Sequence, residues 1–400
     1  MKITNDFSIG PYMTFDQSKE LPIHSWFWYK EGFSPELVKW AIASEGKNKN
    51  DNAPVPERLL DPFCGVGTSL LAAKEKGMFA KGVDASDLAA FVSKTKTRNY
   101  SSRDIEMAKE FSASIFAESR PPAPLQWEFE LFNPAAAFPK RNLNDIMFLR
   151  ERIEYLEPGP RSLLLLALLS VLPQASLVIK DGGVLKISKE KSAMPLKDAF
   201  RRKVKRMVAD LEAKNETNAP ANPGQNAAPE PEVFLGDARA MGFPDDSEDI
   251  IVTSPPYLNN IDYSKIYGME LSLLAMSKAA AEEVRLRSVR SFIGRKMRVQ
   301  EMPVEVGEIG ERIPIIGTYF ADMEGAIKEM HRVLCPGSCA YVNVSNSVIH
   351  ETHVLVDEVF AEMALRIGFS DVEIVVGAER IADVKPQKVR TRESVVIMRK

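Results

Sequence analysis

The sequence predicts an α/β fold, with a doubly wound, seven-stranded and mostly parallel sheet that carries a helical insertion. Short β-favouring runs alternate along the chain with segments of helical pattern. Such alternation is typical of parallel sheets that helices cover on both faces. Polar or glycine-rich residues also follow the first four of these runs directly. In open α/β sheets, residues in this position lie at the edge where ligands bind.

Seven runs are expected to form the strands, and helices are expected after most of them. Because no clear helix separates the last two strands, we expect them to form a hairpin at the sheet edge, with an antiparallel final strand. A Pro-Gly pair, Pro336 and Gly337, ends the helix before the fifth strand. The predicted strands are 58–61, 80–84, 232–237, 249–254, 339–345, 371–377 and 393–399, and the predicted helices are 68–77, 86–98, 265–280, 319–334 and 353–367.

Composition narrows the class of protein. The chain has 400 residues, of which 45% are hydrophobic and 27% charged, as expected of a globular protein with a sizeable core. The net charge of −3 means that nucleic-acid binding would need local basic patches. Three cysteines form no disulfide framework, so a cytoplasmic setting is expected. No metal site is expected, because clusters of metal-ligating side chains are missing.

No membrane contact is expected from the sequence. The first residues, MKITNDFSIGPYM, lack the apolar core of a signal peptide. The longest apolar run extends from Leu163 to Leu172, whereas a helix that spans a bilayer needs about 20 residues. A buried helix is the better interpretation of this run.

The chain divides by composition into four parts. Residues 1–103 hold the first two strands, and residues 104–213 form a mostly helical insertion, which is a candidate target-recognition region. Residues 214–232 are rich in Asn, Ala and Pro and have almost no large apolar side chains, which predicts a disordered linker. Residues 233–400 hold the remaining strands.

The first strand runs into the sequence DPFCGVGT, residues 61–68. Gly65 and Gly67 permit a tight turn and a close approach of the backbone to a ligand, and Thr68 can cap the helix that follows. The lysine of a phosphate-binding loop and the third glycine of a dinucleotide fingerprint are both missing. The second strand ends at Asp84, where an acidic side chain can accept hydrogen bonds from ribose hydroxyls.

The third strand ends at Asp237, and the fourth ends in the sequence TSPPY, residues 253–257. Two adjacent prolines donate no backbone hydrogen bonds and make a loop rigid. For each motif alone, a purely structural role is the commoner explanation. Because parallel strands bring their carboxyl ends to one edge of a sheet, the coincidence of four such ends favours a ligand site.

Together, DPFCGVGT and TSPPY resemble the cofactor and catalytic motifs of S-adenosylmethionine-dependent amino methyltransferases that act on DNA. The resemblance covers roughly 20–100 and 233–400, and it implies the Rossmann-like fold of class I methyltransferases. That family methylates the N4 amine of cytosine or the N6 amine of adenine. A serine in the first position of the motif is more similar to the cytosine branch, so N4 of cytosine is the expected target. Adenine N6 and an exocyclic amine of a tRNA base are the alternatives.

The resemblance implies a role for each matching residue. Ser254 and the carbonyl of Pro255 would accept the two hydrogens of the target amine, in a loop that Pro256 helps to hold rigid. Tyr257 would stack on the target base after it is flipped out of double-stranded DNA. The segment 24–38 resembles the part that closes over the methionine end of the cofactor. S-adenosylmethionine would be held by Asp61, Pro62, Phe63, Gly65, Gly67, Thr68, Asp84 and Asp237.

Two basic stretches are candidates for contact with DNA phosphates. One is the helical run 197–214 in the insertion, and the other is 285–298, after the catalytic motif. A solvated helix face is the ordinary explanation of such runs. The second stretch is the stronger candidate because it follows the catalytic loop, and a cognate restriction enzyme is a further implied partner. The expected contacts are Arg285, Arg290, Arg295, Lys296 and Arg298.

Overall fold

The computed structural model describes residues 1–48, 56–117, 127–181, 183–217, 229–259, 261–277, 279–292, 302–384 and 387–400. Its strands are β1 (Lys2–Asn5), β2 (Arg58–Asp61), β3 (Phe79–Asp84), β4 (Val178–Asp181), β5 (Val184–Ile187), β6 (Glu232–Leu235), β7 (Glu248–Thr253), β8 (Leu334–Ser345), β9 (Ser347–Ile349), β10 (Thr352–Val354), β11 (Asp371–Val384) and β12 (Gln387–Arg399). Its helices are α1 (Pro35–Asn48), α2 (Thr68–Glu75), α3 (Asp87–Thr97), α4 (Ser102–Ser114), α5 (Pro134–Ala137), α6 (Lys140–Glu154), α7 (Pro158–Ala175), α8 (Leu196–Thr217), α9 (Tyr263–Ile266), α10 (Gly268–Ala275), α11 (Ala280–Arg287), α12 (Gly307–Arg312), α13 (Pro314–Val333) and α14 (Val356–Ile367). Short 3-10 helices occupy Phe7–Met13, Phe15–Lys19 and His24–Trp26.

The predicted fold class is confirmed. The main sheet has the order β1-β11-β12-β8-β7-β2-β3-β6, and every neighbouring pair is parallel except the two pairs that involve β12. The strand order reverses between β2 and β7, as in doubly wound nucleotide-binding sheets. A crevice therefore opens beyond the carboxyl ends of these two strands, and it is there that ligands bind in such sheets.

The number of strands and the place of the last hairpin differ from the prediction. The sheet has eight strands, because β1 adds to it in parallel with β11. β12 is antiparallel as predicted, but it lies inside the sheet between β11 and β8 rather than at the edge. The different burial of β12 and β1 explains why β12 is internal and β1 lies at the edge. Val396 and Met398 on β12 are fully buried, whereas Ile3 on β1 is 45% exposed and tolerates an edge position.

The insertion packs onto the sheet domain. Its helices α4–α8 share one core cluster with α3 and α10, which includes Val92, Leu164, Phe200 and Leu271. Between the long helices the chain forms an antiparallel hairpin of β4 and β5, which the sequence analysis did not predict. Helix α8 continues to Thr217, so part of the predicted linker is helical, and residues 218–228 lie outside the described residues.

The apolar run Leu163–Leu172 forms part of α7, and most of its side chains are fully buried. Within the described ranges, no helix is both long enough and apolar enough to cross a membrane.

Candidate active site

A cavity of about 700 Å³ opens at the carboxyl ends of β2, β3, β6 and β7. It brings together the loops that the sequence analysis singled out, although these loops are far apart along the chain. The predicted residues that line the cavity are Pro62, Phe63, Gly65, Thr68, Asp84, Asp237, Ser254, Pro255, Pro256, Tyr257 and Arg285. Asp61, Gly67 and Arg290 are outside its lining.

The two glycines of the first loop have different structural roles. Gly65 has a φ of +49°, and a side chain there would meet the ring of Tyr29 across the cavity wall at 3.5 Å. Gly67 has a φ of +79°, and a Cβ there would lie 2.3 Å from the hydroxyl oxygen of Ser93. Gly67 therefore serves the close packing of α2 against α3. Gly67 is also the N-cap of α2. The prediction that Thr68 caps this helix is therefore wrong, because Thr68 is the first residue of the helix.

Asp61 positions the loop instead of facing the cavity. Its fully buried carboxylate accepts hydrogen bonds from the backbone nitrogen of Phe63 at 3.1 Å and from the hydroxyl of Thr253 at 2.5 Å. A third hydrogen bond comes from the hydroxyl of Ser69. Burial raises the pKa of Asp61 to about 6. Because Thr253 ends β7, this carboxylate joins the glycine loop to the loop that carries Ser254.

Asp84 and Asp237, which are predicted to bind the cofactor, both line the cavity. The carboxylate of Asp84 accepts hydrogen bonds from the backbone nitrogens of Gly65 at 2.9 Å and Ser86 at 2.8 Å, and burial raises its pKa to about 6. Asp237 forms an ion pair with Arg239, whose guanidinium also contacts the carboxylate of Asp322. Asp84 thus also shapes the glycine loop, and Asp237 is part of a charged network.

Hydrogen bonds hold the TSPPY loop in one conformation. The hydroxyl of Ser254 donates to the backbone carbonyl of Asn343 at 3.1 Å. The hydroxyl of Tyr319 donates to the carbonyl of Pro256 at 3.0 Å. The hydroxyl of Tyr257 accepts a hydrogen bond from Asn343 Nδ2 at 3.1 Å and donates to Glu393 Oε1 at 3.2 Å. The loop is therefore preorganised by β8 and β12 as well as by its prolines.

Several lining residues carried no individual prediction. The rings of Tyr29 and Tyr267 stack with centroids 4.7 Å apart, and Lys180 Nζ lies 3.9 Å from the centroid of Tyr267. Tyr29 belongs to the aromatic segment 24–38, which the sequence analysis predicted to lie near the cofactor. Lys180 comes from the β4–β5 hairpin, and no local motif marks it. Glu393 and Arg380 also line the cavity without a sequence signal.

The described part of the basic stretch that follows the TSPPY loop, residues 285–292, forms internal ion pairs. Arg285 pairs with Glu130 at 2.6 Å, and Arg290 pairs with Asp322 at 2.7 Å. The side chain of Arg285 is 11% exposed and that of Arg290 is 33% exposed, and both guanidinium groups are engaged by carboxylates of the protein, which disfavours them as phosphate ligands. The other predicted contacts, Arg295, Lys296 and Arg298, lie outside the described residues.

The three cysteines and the grouping of metal-ligating side chains among the described residues bear on the question of a metal centre. None of the three cysteines forms a disulfide, and Cys64 and Cys339 are buried while Cys335 is half-buried. In the part of the chain that the structure describes, no three His, Cys, Asp or Glu side chains are grouped so that they could hold a metal ion.

Comparison with known proteins finds relatives along nearly the whole chain. It is 24% identical to the Type II methyltransferase M.BsoBI of Geobacillus stearothermophilus over 97% of this chain and 87% of that protein. It is 25% identical to the Type II methyltransferase M.AvaI of Nostoc sp. over 91% of this chain and 82% of that protein. No family model matches the sequence.

Solved structures show weaker likeness. The rRNA methyltransferase aviRa of Streptomyces viridochromogenes covers 92% of this chain and 85% of its own, with a TM-score of 0.30 and 11% identity. The YcgJ protein of Bacillus subtilis covers 91% of this chain and 98% of its own, with a TM-score of 0.33 and 8% identity. Such scores are too low to carry an argument, and the fold is assigned from the strand order.

Proposed function

We propose that this chain is an S-adenosylmethionine-dependent DNA methyltransferase that methylates the N4 amine of cytosine. The Type II methyltransferases to which it is similar along nearly its whole length support methyl transfer. One observation carries the proposal: the glycine loop with Asp84 and the TSPPY loop line a single cavity at the point where the strand order reverses.

The cavity suits the cofactor. Asp84 presents a carboxylate that can accept hydrogen bonds from ribose hydroxyls, next to a loop where Gly65 has no side chain to block a ligand. Phe63 supplies an apolar surface, and Asp237 offers a second carboxylate on the same wall. The cofactor is S-adenosylmethionine, which supplies the methyl group on its sulfonium.

Ser254 and Pro255 provide the acceptors that the reaction requires. An exocyclic amine conjugated with its ring is a poor nucleophile, and acceptors for both of its hydrogens turn its lone pair toward the methyl group. The hydroxyl hydrogen of Ser254 is donated to the carbonyl of Asn343, which leaves the lone pairs of its oxygen available to accept. Because the loop is already held in place, little reorganisation is needed when the substrate binds.

Tyr257 provides the surface for the base. It lines the cavity and its hydroxyl is held at both sides, by Asn343 and Glu393, so the ring has a defined orientation. A base that is part of a duplex reaches such a cavity only when it is flipped out of the helix. The substrate is therefore double-stranded DNA with a flipped cytosine, and a restriction enzyme of matching specificity is the partner suggested by the Type II relatives.

Nucleoside mass spectrometry tests the proposal directly. The protein is incubated with S-adenosylmethionine that carries a labelled methyl group, and with double-stranded DNA or tRNA in separate reactions. We expect labelled N4-methylcytosine in the DNA reaction. Labelled N6-methyladenine in the DNA would mean that the target is the N6 amine of adenine and not the N4 amine of cytosine. Label in tRNA alone would mean that DNA is not the substrate. The Ser254→Ala variant is the control for methylation by a contaminating enzyme.

A further inference from the structure

The β11–β12 hairpin projects past the sheet on the side where the cavity opens. The pairing of β12 with β8 ends where Glu393 lies opposite Ser345, at the carboxyl end of β8. The pairing of β11 with β12 continues beyond this point, from Ala378 opposite Glu393 to Val384 opposite Gln387. The base of this projection thus lies beside the TSPPY loop.

Arg380 lies at the base of the projection and is linked to the catalytic loop. Its side chain lines the cavity and is 56% exposed. Its Nη2 donates to Glu393 Oε2 at 2.6 Å. Glu393, whose side chain is 6% exposed, accepts the hydroxyl hydrogen of Tyr257 with its other oxygen. One carboxylate therefore joins an exposed guanidinium to the tyrosine of the site.

The guanidinium of Arg380 has more unused hydrogen-bond donors than those of the other arginines that line the cavity. Arg285 is paired with Glu130, and Arg287 is paired with Asp87 and donates to the carbonyl of Ala85. A guanidinium has five N–H donors, and among the contacts of the described residues Arg380 uses Nη2 alone. Planar guanidinium groups bind phosphate oxygens in a bidentate manner.

The geometry points to a backbone phosphate as the ligand of Arg380. When a nucleotide is flipped, its base enters the cavity while its phosphates remain at the mouth. We propose that Arg380 binds the phosphate beside the target nucleotide, and that Glu393 is a positioning residue that orients both Arg380 and Tyr257. This inference rests on the proposed function and deepens it.

The salt dependence of DNA binding tests the phosphate contact. We expect Arg380→Ala to reduce the slope of log affinity against log salt by about 0.9, the value for one phosphate on duplex DNA. Affinity at low salt should fall about tenfold, as for the loss of a charge-assisted hydrogen bond. Arg380→Lys should keep the slope. The matched control is Arg390→Ala, on the opposite face of the same hairpin and 83% exposed, which should change neither quantity.

A double-mutant cycle tests the role of Glu393. Glu393→Ala should lower the single-turnover methylation rate at saturating DNA roughly threefold to tenfold, the effect of one lost hydrogen bond. Glu393→Gln should restore part of that rate, because an amide oxygen can still accept the hydroxyl of Tyr257. In a Tyr257→Phe background, Glu393→Ala should cause no further loss.

These outcomes separate this inference from the proposed function. If the wild-type protein methylates DNA but Arg380→Ala keeps the wild-type salt slope, the phosphate contact is wrong and the proposed function stands. Multiplicative losses from Glu393→Ala and Tyr257→Phe, with S-adenosylmethionine affinity unchanged, would reject the positioning role. A wild-type protein that binds S-adenosylmethionine and methylates no DNA would instead overturn the proposed function, and the inference with it.

Discussion

Asp61 at the end of β2 and Asp84 at the end of β3 both have a raised carboxyl pKa, but the two side chains have different roles. Burial raises the pKa of Asp61 and of Asp84 to about 6. Asp61 is surrounded by the hydroxyls of Ser69 and Thr253, and it joins two loops. Asp84 faces the cavity and keeps capacity for a ligand. A raised pKa near a ligand site makes binding depend on pH close to neutrality.

The affinity for S-adenosylmethionine should therefore fall in mild acid. The ionised carboxylate of Asp84 is the better acceptor for ribose hydroxyls, and with its pKa at about 6 it takes up a proton as the pH falls through that value. Affinity should be constant above about pH 7 and decrease up to about tenfold per pH unit well below pH 6. Calorimetric titration between pH 5 and 8 measures this. The Asp84→Asn variant should bind S-adenosylmethionine weakly at every pH, and its affinity should not change near pH 6. If the affinity of this variant still falls near pH 6, the pH dependence belongs to another group, such as Asp61.

Ser254 should matter for turnover and not for cofactor binding. Ser254→Ala removes one acceptor for the target amine, and by analogy with the loss of one oxyanion-hole donor the single-turnover rate should fall about 10²-fold. Its affinity for S-adenosylmethionine should remain that of the wild type. The matched control is Ser370→Ala, whose hydroxyl also donates to a backbone carbonyl, that of Arg399, away from the cavity. Near-normal methylation by Ser254→Ala would remove this loop from the catalytic site.

At the scale of elements, α11 and the residues after it are held by arginine–carboxylate pairs. Arg285, Arg287 and Arg290 each contact a carboxylate on a different part of the chain, namely Glu130, Asp87 and Asp322. Together they fix the segment 285–290, after the TSPPY loop, beside the cavity. The charges of these three arginines thus contribute to folding.

Arg290→Ala should consequently reduce stability rather than DNA binding. The carboxylate of Asp322 is nearly buried and accepts hydrogen bonds from both the backbone and the side chain of Arg290, and these contacts help to hold its pKa low. Removing the guanidinium should lower the free energy of unfolding by on the order of 1–3 kcal/mol. Urea unfolding measures that loss. The slope of log DNA affinity against log salt should stay at the wild-type value. A smaller slope would show that Arg290 contacts a DNA phosphate.

The segment 218–228 should be dispensable for cofactor binding. Its sequence, NAPANPGQNAA, lacks large apolar residues, so it contributes little to a core. Replacing it with a Gly-Ser segment of equal length should leave S-adenosylmethionine affinity unchanged. Calorimetric titration and thermal unfolding of the same preparation would check this. A folded variant with weakened affinity would place the segment in the site.

At the scale of the whole molecule, the insertion shares one cluster of buried side chains with helices of the sheet domain. Trp26 before β2, Leu164 in the insertion and Leu271 after the TSPPY loop belong to one cluster of buried side chains. The indole nitrogen of Trp26 also donates to the carboxylate of Asp210 on α8 at 2.8 Å. The insertion is therefore a structural part of the same folding unit.

Unfolding should accordingly be a single transition. Because the insertion packs into one cluster with α3 and α10 of the sheet domain, calorimetry should show one heat-absorption peak, and S-adenosylmethionine should raise its midpoint as a whole. Unfolding followed by tryptophan fluorescence should coincide with unfolding followed by circular dichroism. Two separate peaks, of which the cofactor shifts only one, would instead show that the insertion folds independently.

The sequence by itself determined the fold class, seven of the eight strands of the main sheet and the edge of the sheet where the candidate site lies. This was possible because alternation of strands and helices dictates parallel pairing, and parallel strands bring their carboxyl ends together. The glycine loop and the TSPPY loop are local motifs, so both could be singled out as candidate site loops from the residues alone. All seven predicted strands are present in the sheet.

Only the tertiary structure decided which charges are paired and which face the cavity. The hydrogen bond from Tyr257 to Glu393 joins residues 136 positions apart, and that from Arg239 to Asp322 spans 83 positions. No local pattern encodes such partners. A basic run shows how much charge is present but not which carboxylates it meets, so Arg290 could not be distinguished from a phosphate ligand. The internal place of β12 was likewise decided by burial on both faces of the sheet, which depends on elements that pack there from distant parts of the chain.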